Sequence, residues 1–303
     1  MKYVVNKFVT LKVCRLIRKE KIDIVHINTL TTSYVFAKAA IWSKKKYVWH
    51  FREFMEEDIK LTFKNSNKAY KLINKADAKI AISKSIYNKY LELFRCDNLF
   101  LVYNGICLED HYRKHRILDD TVISIGIVGR LHENKGQMEF IKAVHNVVSQ
   151  NTHNIKAYII GNIEDKEYYI ALNNYIITHN LHHTVKILDF TSEMHLLWEK
   201  LDITCVCSKA EAFGRVTVEA LLAGTLVIGA NTGGTPEIIS DFDTGLLYEQ
   251  GNYLSLASKI EIALKDKVLM REIAINGQNR ALNNFTDYIN AENIIEVYNK
   301  IIN

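Results

Sequence analysis

The sequence has a single proline and only 13 glycines among 303 residues, and nowhere does it hold a long uninterrupted apolar run. A helix that crosses a bilayer needs about 20 mostly apolar residues, so we expect no membrane span. The first 21 residues lack an apolar stretch followed by a small-residue cleavage site, and they do not predict a signal peptide. We find no low-complexity tract and no repeat of fixed period. With 48% hydrophobic residues, the chain is expected to bury a large core.

Cysteine is scarce and its spacing suggests no disulfide framework. The five cysteines are an odd number, which predicts a reduced, cytoplasmic protein. Cys205 and Cys207 alternate with apolar residues in "ITCVCS", a pattern typical of a buried strand. Paired metal ligands more often stand two residues apart, so we favour the strand over a metal site.

Charge is distributed unevenly along the chain. Residues 1–120 hold 24 Lys and Arg against 13 Asp and Glu, whereas residues 121–303 hold 15 against 21. The basic front half indicates either an anionic partner or a solvated lysine-rich surface. The anionic partners to consider are lipid headgroups, a phosphate-bearing acceptor and nucleic acid. Zinc-finger spacing, an RRM signature and an arginine-rich tract are all missing, which argues against nucleic acid.

Short β-branched runs alternate with segments of helical length, which predicts a doubly wound α/β protein. The strand candidates are mostly not alternating, as expected for parallel strands covered on both faces. A charged stretch without period, "HYRKHRILDD", separates two such series. We therefore predict two Rossmann-like domains facing across a cleft, residues 1–116 and 117–285, and a helix over residues 286–303 that returns towards the first. The predicted strands read "IDIVHIN", "KYVWHF", "AKIAIS", "LFLVY", "VISIGIV", "IKAYIIG", "VKIL", "DITCVC", "TLVIGA" and "GLLY".

The stretch "GIVGRLHENKG" follows a predicted strand with a turn and two cations. Gly129 allows a close turn after Val128, and Arg130 and Lys135 then stand in the loop and at the start of the next helix. Two cations near a helix N-terminus suit a diphosphate. The alternative is two solvated surface cations. The glycine spacing of a Walker loop is missing.

The stretch "EAFGRVTVEALLAG" places two carboxylates around a glycine turn. Glu211 follows a buried strand, and a helix is predicted to begin near Arg215, with Ala223-Gly224 closing it. Gly214 would leave backbone N–H groups free for phosphate at the helix N-terminus. Glu219, in the first turns, would accept hydrogen bonds from a vicinal diol such as ribose. The alternatives are a loop acid and a helix-surface acid favoured by the dipole.

A third stretch, "NTGGTPEII", adds a glycine turn and a helix start at Pro236, the only proline. Three helix N-termini together with two cations indicate a nucleotide-diphosphate site. The G-x-G-x-x-G pattern of a redox cofactor does not follow a strand here.

In this order, "VGRLHENKG", "SKAEAFGRVTVEALLAGTLVI" and "TGGTPEII" resemble the C-terminal domain of retaining glycosyltransferases of the GT-B fold, the family-4 group. Weaker matches in the front half are "DIVHIN", "VWHF", "ADAKIAISKSI" and "LVYNGI". The resemblance covers nearly the whole chain, and its most specific part is the pair of glutamates around "FG". It implies transfer of a sugar from a UDP- or GDP-sugar, with retained anomeric configuration and without a metal or other cofactor.

The resemblance also implies a role for each matching residue. Arg130 and Lys135 would neutralise the leaving diphosphate, Glu219 would bind the ribose hydroxyls, and Glu211 and His50 would contact the donor sugar, His50 near the anomeric carbon. The backbone N–H groups of Phe213, Gly214, Arg215 and Val216 would contact phosphate and sugar. Without the resemblance, His50 is a polar side chain at a strand end. His26 and the pair His182-His183 are interpreted as structural or surface residues.

The family pattern is not complete. Several strands, the first with a glycine-rich loop, normally precede "DIVH", whereas here about twenty residues do so and read as one basic helix. This favours either a fragment or a natural short form. Cys107 stands where an acid usually follows "NGI", and Asp189 stands where a glycine often follows the strand "VKIL", so Asp189 either crowds the nucleobase or points outward.

The leading hypothesis is an enzyme of surface-polysaccharide synthesis. It would act on a glycan or lipid-phosphate-linked acceptor in the cytoplasm, at the inner face of the membrane, through a peripheral contact of the basic front half. The alternatives are a non-catalytic nucleotide-sugar-binding protein and a nucleotide-sugar epimerase.

Overall fold

The computed structural model describes residues 2–29, 34–54, 66–94, 97–113, 122–150, 154–190 and 193–302. Two compact units divide the chain. The first unit comprises Met1–Asn104 and Tyr288–Asn303, and the second comprises Gly105–Asp287. The predicted boundary between residues 116 and 117 lies outside the described residues, as does most of the charged stretch around it. The final helix groups with the first unit.

Helices and strands alternate through both units. Those of the first unit before residue 105 are α1 (Lys2–Lys19), β1 (Ile24–Ile27), α2 (Tyr34–Trp42), β2 (Lys46–Phe51), α3 (Ser66–Asn74), β3 (Ala78–Ala81), α4 (Lys84–Leu93) and β4 (Leu99–Leu101). Those that follow are α5 (Leu108–His111), β5 (Ile123–Val128), α6 (Gln137–Ser149), β6 (Ile155–Ile160), α7 (Lys166–Thr178), β7 (Val185–Leu188), α8 (Met194–Trp198), β8 (Ile203–Val206), α9 (Arg215–Leu222), β9 (Leu226–Ala230), α10 (Thr235–Ile238), β10 (Leu246–Tyr248), α11 (Tyr253–Lys265), α12 (Lys267–Asn284) and α13 (Asp287–Ile302).

The first unit is built on a parallel sheet whose described strands lie in the order β1-β2-β3-β4. Successive residues of a strand face opposite sides of a sheet. Ile24 accordingly packs with a cluster that includes Val297 of α13, whereas Val25 packs with a cluster that includes Cys14 of α1. The sheet is therefore covered on both faces, which explains why the strand sequences are continuously apolar.

The second unit is a parallel sheet in the order β10-β9-β8-β5-β6-β7 among the described strands. The chain winds outward from β5 in both directions, so the order reverses between β5 and β8. In doubly wound folds, ligands bind at such a switch point, beyond the carboxyl ends of the strands. The loops after β5 and β8 carry Arg130 and Lys135 on one side and Glu211 on the other, as the sequence requires for a shared site.

The predicted elements match the observed ones closely. All ten predicted strands are strands, and the basic segment at the start is the helix α1. The predicted helix near Arg215 spans Arg215–Leu222, and Pro236 lies in the first turn of α10. The α/β class and the Rossmann-like topology are therefore confirmed. Within the described ranges, no helix combines the length and the apolar character that crossing a lipid bilayer requires.

Candidate functional site

The loops after β5 and β8 approach each other closely at Gly136. Gly136 adopts φ +74°, and a Cβ built on it would lie 2.2 Å from the carbonyl oxygen of Cys207. Only glycine fits such a contact. The backbone N–H of Lys209 also donates to the carbonyl of Asn134 at 2.9 Å. This packing fixes Lys135, the neighbour of Gly136, against the loop that follows β8.

Lys135 and Glu211 form an ion pair across these two loops. The Lys135 Nζ lies 3.0 Å from the Glu211 Oε2 and 3.4 Å from the Ser208 Oγ. The two charged side chains are 29% and 21% exposed. The backbone of Glu211 is fixed as well, because its carbonyl accepts a hydrogen bond from the N–H of Gly234 at 2.7 Å. A partly buried ammonium is thus placed beside a carboxylate at the switch point.

The helix α9 presents its N-terminus at the same edge of the sheet. Gly214 is its N-cap residue with φ +108° and, having no side chain, offers no side-chain acceptor to the first amides. The first amides of a helix have no intrahelical acceptor and carry the positive end of the helix dipole. Phe213 is 2% exposed and packs edge-on against Phe285, with ring centroids 5.9 Å apart. The Phe213 side chain therefore anchors the loop, and only its backbone is available to a ligand.

A cavity of about 390 Å³ opens beside α9 in the second unit. Five predicted site residues line it: Gly129, Arg130, Arg215, Val216 and Glu219. His111, Val128, Gly161, Asn162 and Phe190 line the rest. The cavity thus combines two guanidinium groups, one carboxylate, one imidazole and one phenyl ring.

Each guanidinium at this cavity has a carboxylate partner. The Arg130 Nη1 lies 2.6 Å from the Glu164 Oε1, and both side chains are largely exposed. The Arg215 Nη2 lies 3.6 Å from the Glu219 Oε1, and the Glu219 side chain is only 12% exposed. An exposed pair such as Arg130–Glu164 contributes little to stability, about 0–1 kcal/mol. The Arg130 guanidinium is therefore available to an anionic ligand.

His111, at the end of α5, was missed by the sequence analysis. Its ring lines the cavity, and within the described part of the chain its buried Nδ1 has no hydrogen-bond partner. Burial lowers the pKa of His111, although the carboxylates of Glu219 and Asp110 oppose the shift. The surrounding segment "CLEDHY" has no periodicity that would have singled the histidine out.

The loop after β7 also contributes a side chain that the sequence analysis did not select. Phe190 lines the cavity while remaining 51% exposed, which leaves its ring accessible to a ligand. Its neighbour Asp189 is exposed and is not among the lining residues. Of the two placements considered for Asp189, the outward one fits the described residues.

His50 lies in the first unit, at the end of β2. It is 1% exposed, and its Nδ1 lies 3.0 Å from the Nε2 of His26. Burial lowers the pKa of His50 well below its ordinary value, and Arg52 and His26 add to the shift. His26 is thus a hydrogen-bonded structural residue, whereas His182 and His183 are exposed. Cys205 and Cys207 lie fully buried in and just after β8, as the strand interpretation predicts.

Comparison with known proteins places this geometry in a family. Residues 109–280 match the family model "Glycosyl transferases group 1", and residues 4–110 match the model "Glycosyltransferase Family 4". The capsular polysaccharide biosynthesis glycosyltransferase CapM of Staphylococcus aureus is 29% identical over 195 residues, which cover 64% of this chain and 50% of CapM. An uncharacterized glycosyltransferase of Methanocaldococcus jannaschii is 28% identical, over 91% of this chain and 74% of its own.

The fold has known counterparts as well. The crystal structure of HepE from Anabaena in complex with UDP superposes with a TM-score of 0.87 at 24% identity, over 96% of this chain and 82% of HepE. This likeness extends through both units and confirms the predicted GT-B fold. The chain spans only half the length of CapM. Since the first family model covers more than half of the chain, the protein belongs to the glycosyl transferases group 1 family.

Proposed function

We propose that the protein is a retaining glycosyltransferase that moves a sugar from a UDP- or GDP-sugar to a glycan or lipid-linked acceptor in surface-polysaccharide synthesis. One observation carries the proposal: Arg130, Lys135 and the N-terminus of α9 all lie at the carboxyl edge of one sheet, around its switch point. The name of CapM, a capsular polysaccharide enzyme, supports the biosynthetic setting.

The diphosphate is held by positive groups from the loop after β5 and from the N-terminus of α9. Arg130 and Lys135 supply charge, and the first amides of α9 supply hydrogen-bond donors. When the diphosphate pairs with Lys135, the Glu211 carboxylate is released from its 3.0 Å ion pair. It then accepts hydrogen bonds from hydroxyls of the donor sugar. Glu219, which lines the cavity, accepts those of the ribose.

Departure of the nucleoside diphosphate builds negative charge on the leaving oxygens. Cations and amides that are already in place stabilise that charge, and removal of one such donor costs about 10²–10³ in rate. These groups neutralise the leaving group from the protein itself, so the reaction needs no divalent metal. His50 contacts the donor sugar near the anomeric carbon.

Titration calorimetry with UDP, GDP and ADP tests the donor site. We expect one of the nucleotides to bind, and Lys135→Ala to weaken that binding about 10-fold to 100-fold through loss of a charge-assisted contact. Lys156→Ala is the matched control, because the Lys156 Nζ donates to the carbonyl of His183 and Lys156 lies at the start of β6, at the edge of the sheet opposite the loops after β5 and β8. A folded protein that binds none of the three would refute the proposal.

Turnover separates the remaining candidates. Transfer of a labelled sugar with retained configuration, lost in Glu211→Ala, supports the proposal. Nucleotide binding without transfer would instead favour the non-catalytic binding protein. Conversion of a free UDP-sugar without an acceptor would favour the epimerase.

We also propose that α1 contacts the anionic inner face of a membrane, where a lipid-linked acceptor would lie. The helix contains no acidic residue. Phe8, Leu11 and Leu16 are 59%, 46% and 55% exposed, and the cations Lys12 and Arg15 stand between them on the exposed surface. Exposed apolar groups interleaved with lysine and arginine are typical of helices that lie in a lipid interface.

Co-sedimentation with vesicles tests this contact. We expect binding to vesicles that contain phosphatidylglycerol but not to vesicles of phosphatidylcholine alone. Lys12→Glu/Arg15→Glu should abolish it, whereas the same charge change in the second unit, Lys166→Glu/Lys186→Glu, should not. If both double variants lost vesicle binding equally, net charge alone would explain the binding. The assignment of the membrane contact to α1 would then be wrong.

A further inference from the structure

Three side chains of the first unit form a continuous hydrogen-bonded chain. The hydroxyl of Tyr298, on α13, lies 2.6 Å from the Nδ1 of His26, at the carboxyl end of β1. The Nε2 of His26 lies 3.0 Å from the Nδ1 of His50, at the end of β2. No local pattern in the sequence connects His26 or Tyr298 with His50. The series of hydrogen bonds ends at the Nε2 of His50.

The rings of His26 and His50 are both neutral at pH 7. Burial lowers the pKa of His26 and, more strongly, that of His50, and the nearby guanidinium of Arg52 lowers both further. Burial also raises the pKa of Tyr298, so its hydroxyl keeps its proton. A neutral imidazole carries one N–H and one bare nitrogen, and its neighbours determine which is which.

Only two proton arrangements satisfy both hydrogen bonds. In the first, Tyr298 donates to His26 Nδ1, His26 Nε2–H donates to His50 Nδ1, and the proton of His50 stands on Nε2. In the second, every bond is reversed, and the Nε2 of His50 is bare. In the reversed arrangement the phenol oxygen accepts from His26, and the phenol hydrogen takes part in neither of the two hydrogen bonds. That hydrogen then needs an acceptor elsewhere. The first arrangement uses the phenol hydrogen within the chain and is therefore the favoured one.

In the first arrangement the Nε2–H of His50 is a donor that lacks an acceptor. Among the described residues this atom is buried and without a hydrogen-bond partner. A buried donor left in that state destabilises the folded protein, because it has lost its hydrogen bond to water. An oxygen of a bound substrate would complete the chain and recover that energy.

We propose that Tyr298 and His26 are positioning residues that fix His50 as the Nε2–H tautomer, so that His50 donates a hydrogen bond to an oxygen of the donor sugar. The inference rests on the proposed function for its ligand. Its physical part, the control of the tautomer by a phenol on the last helix, stands on the geometry of the first unit alone.

Long-range ¹H–¹⁵N correlation spectra of protein with ¹⁵N-labelled histidine report the tautomer of each ring directly. At pH 7.5 we expect His50 to carry its proton on Nε2. Tyr298→Phe removes the phenol donor and should convert His50 to a mixture of tautomers. Tyr288→Phe, on the same helix but 61% exposed, is the matched control and should leave the spectrum of His50 unchanged.

Two variants of His26 sharpen the test. The side-chain amide of His26→Gln still donates to His50 Nδ1 and should preserve the tautomer, whereas His26→Leu should lose it. In sugar transfer we expect Tyr298→Phe and His26→Leu to lower kcat about tenfold with KM for the donor unchanged, as for loss of one oriented hydrogen bond. His26→Gln should recover most of that rate.

The outcomes separate the inference from the proposed function. A His50 proton on Nδ1 in the wild-type protein, or a spectrum unaltered by Tyr298→Phe, would overturn the inference even if sugar transfer is normal. Tautomer control by Tyr298 in a protein that transfers no sugar would support the positioning roles and reject the proposed function.

Discussion

The contact between Gly136 and Cys207 gives the sharpest test of how the fold builds the site. Replacing Gly136 by alanine has two separate costs. At φ +74° a side chain is strained, which costs roughly 1–2 kcal/mol for an L-residue. The new Cβ would also lie 2.2 Å from the Cys207 carbonyl oxygen, so one loop must retreat by about 1 Å. Overpacking of this kind typically costs a further 1–3 kcal/mol.

Gly251→Ala isolates the second cost. Gly251 has φ +82°, close to that of Gly136, but a Cβ there meets no heavy atom within 4 Å. Both variants therefore carry the backbone strain, and only Gly136→Ala carries the clash. We expect urea unfolding, followed by circular dichroism and tryptophan fluorescence, to show Gly136→Ala about 1–3 kcal/mol less stable than Gly251→Ala.

The clash should also displace Lys135 in the proposed ligand site, because Lys135 directly precedes Gly136 in the chain. A misplacement of about 1 Å in a positioned group costs on the order of 10²-fold in activity. We expect Gly136→Ala to weaken nucleotide binding at least tenfold in calorimetry, while Gly251→Ala binds as the wild type does. Equal stability and equal affinity in the two variants would show that the loops do not depend on this contact.

Three further predictions follow from the described geometry. Sugar transfer should be unaffected by EDTA, since protein cations and amides neutralise the leaving group; a rate restored only by added Mg²⁺ would contradict this. Glu219→Gln should weaken the binding of UDP severalfold but not that of 2′-deoxy-UDP, because only the former offers both ribose hydroxyls; equal losses would exclude the ribose contact. The half-buried His26 and the buried His50 have lowered pKa values, so below about pH 6.5 the unfolded chain binds more protons than the folded one. The free energy of unfolding should therefore decrease as the pH is lowered through this range. The decrease should be smaller in His50→Leu, and urea titrations at pH 7.5 and 5.5 would measure it.

The local patterns in the sequence predicted the strands and the turns that follow them well. Continuous apolar runs mark parallel strands covered on both faces, and a glycine followed by charged residues marks the turn at a strand end. The pairing of Lys135 with Glu211 follows from topology, because β5 and β8 are neighbours at the switch point. The sequence marks each of the two residues within its own loop, without reference to the other.

Long-range contacts without a local pattern could not be predicted. Tyr298 stands 272 residues from His26 in the sequence, and nothing in "EVYNK" marks its hydroxyl as a hydrogen-bond partner. His111 and Phe190 enter the cavity through the packing of α5 and of the loop after β7. Periodicity reports which face of an element is buried, but not which distant side chain meets it.

The carboxylates at the site favour the proposed sugar nucleotide over a simple anion as its ligand. Arg130, Lys135 and Arg215 each face a glutamate before any ligand arrives. An inorganic diphosphate would take the cations and leave those glutamates without partners, at a cost that grows with their burial. Glu211 and Glu219 are the two more buried of the three, with side chains 21% and 12% exposed. A sugar nucleotide carries hydroxyls at both ends of its diphosphate, those of the sugar and those of the ribose. These hydroxyls give Glu211 and Glu219 new hydrogen-bond donors, so the ligand binds without leaving the two carboxylates unpaired.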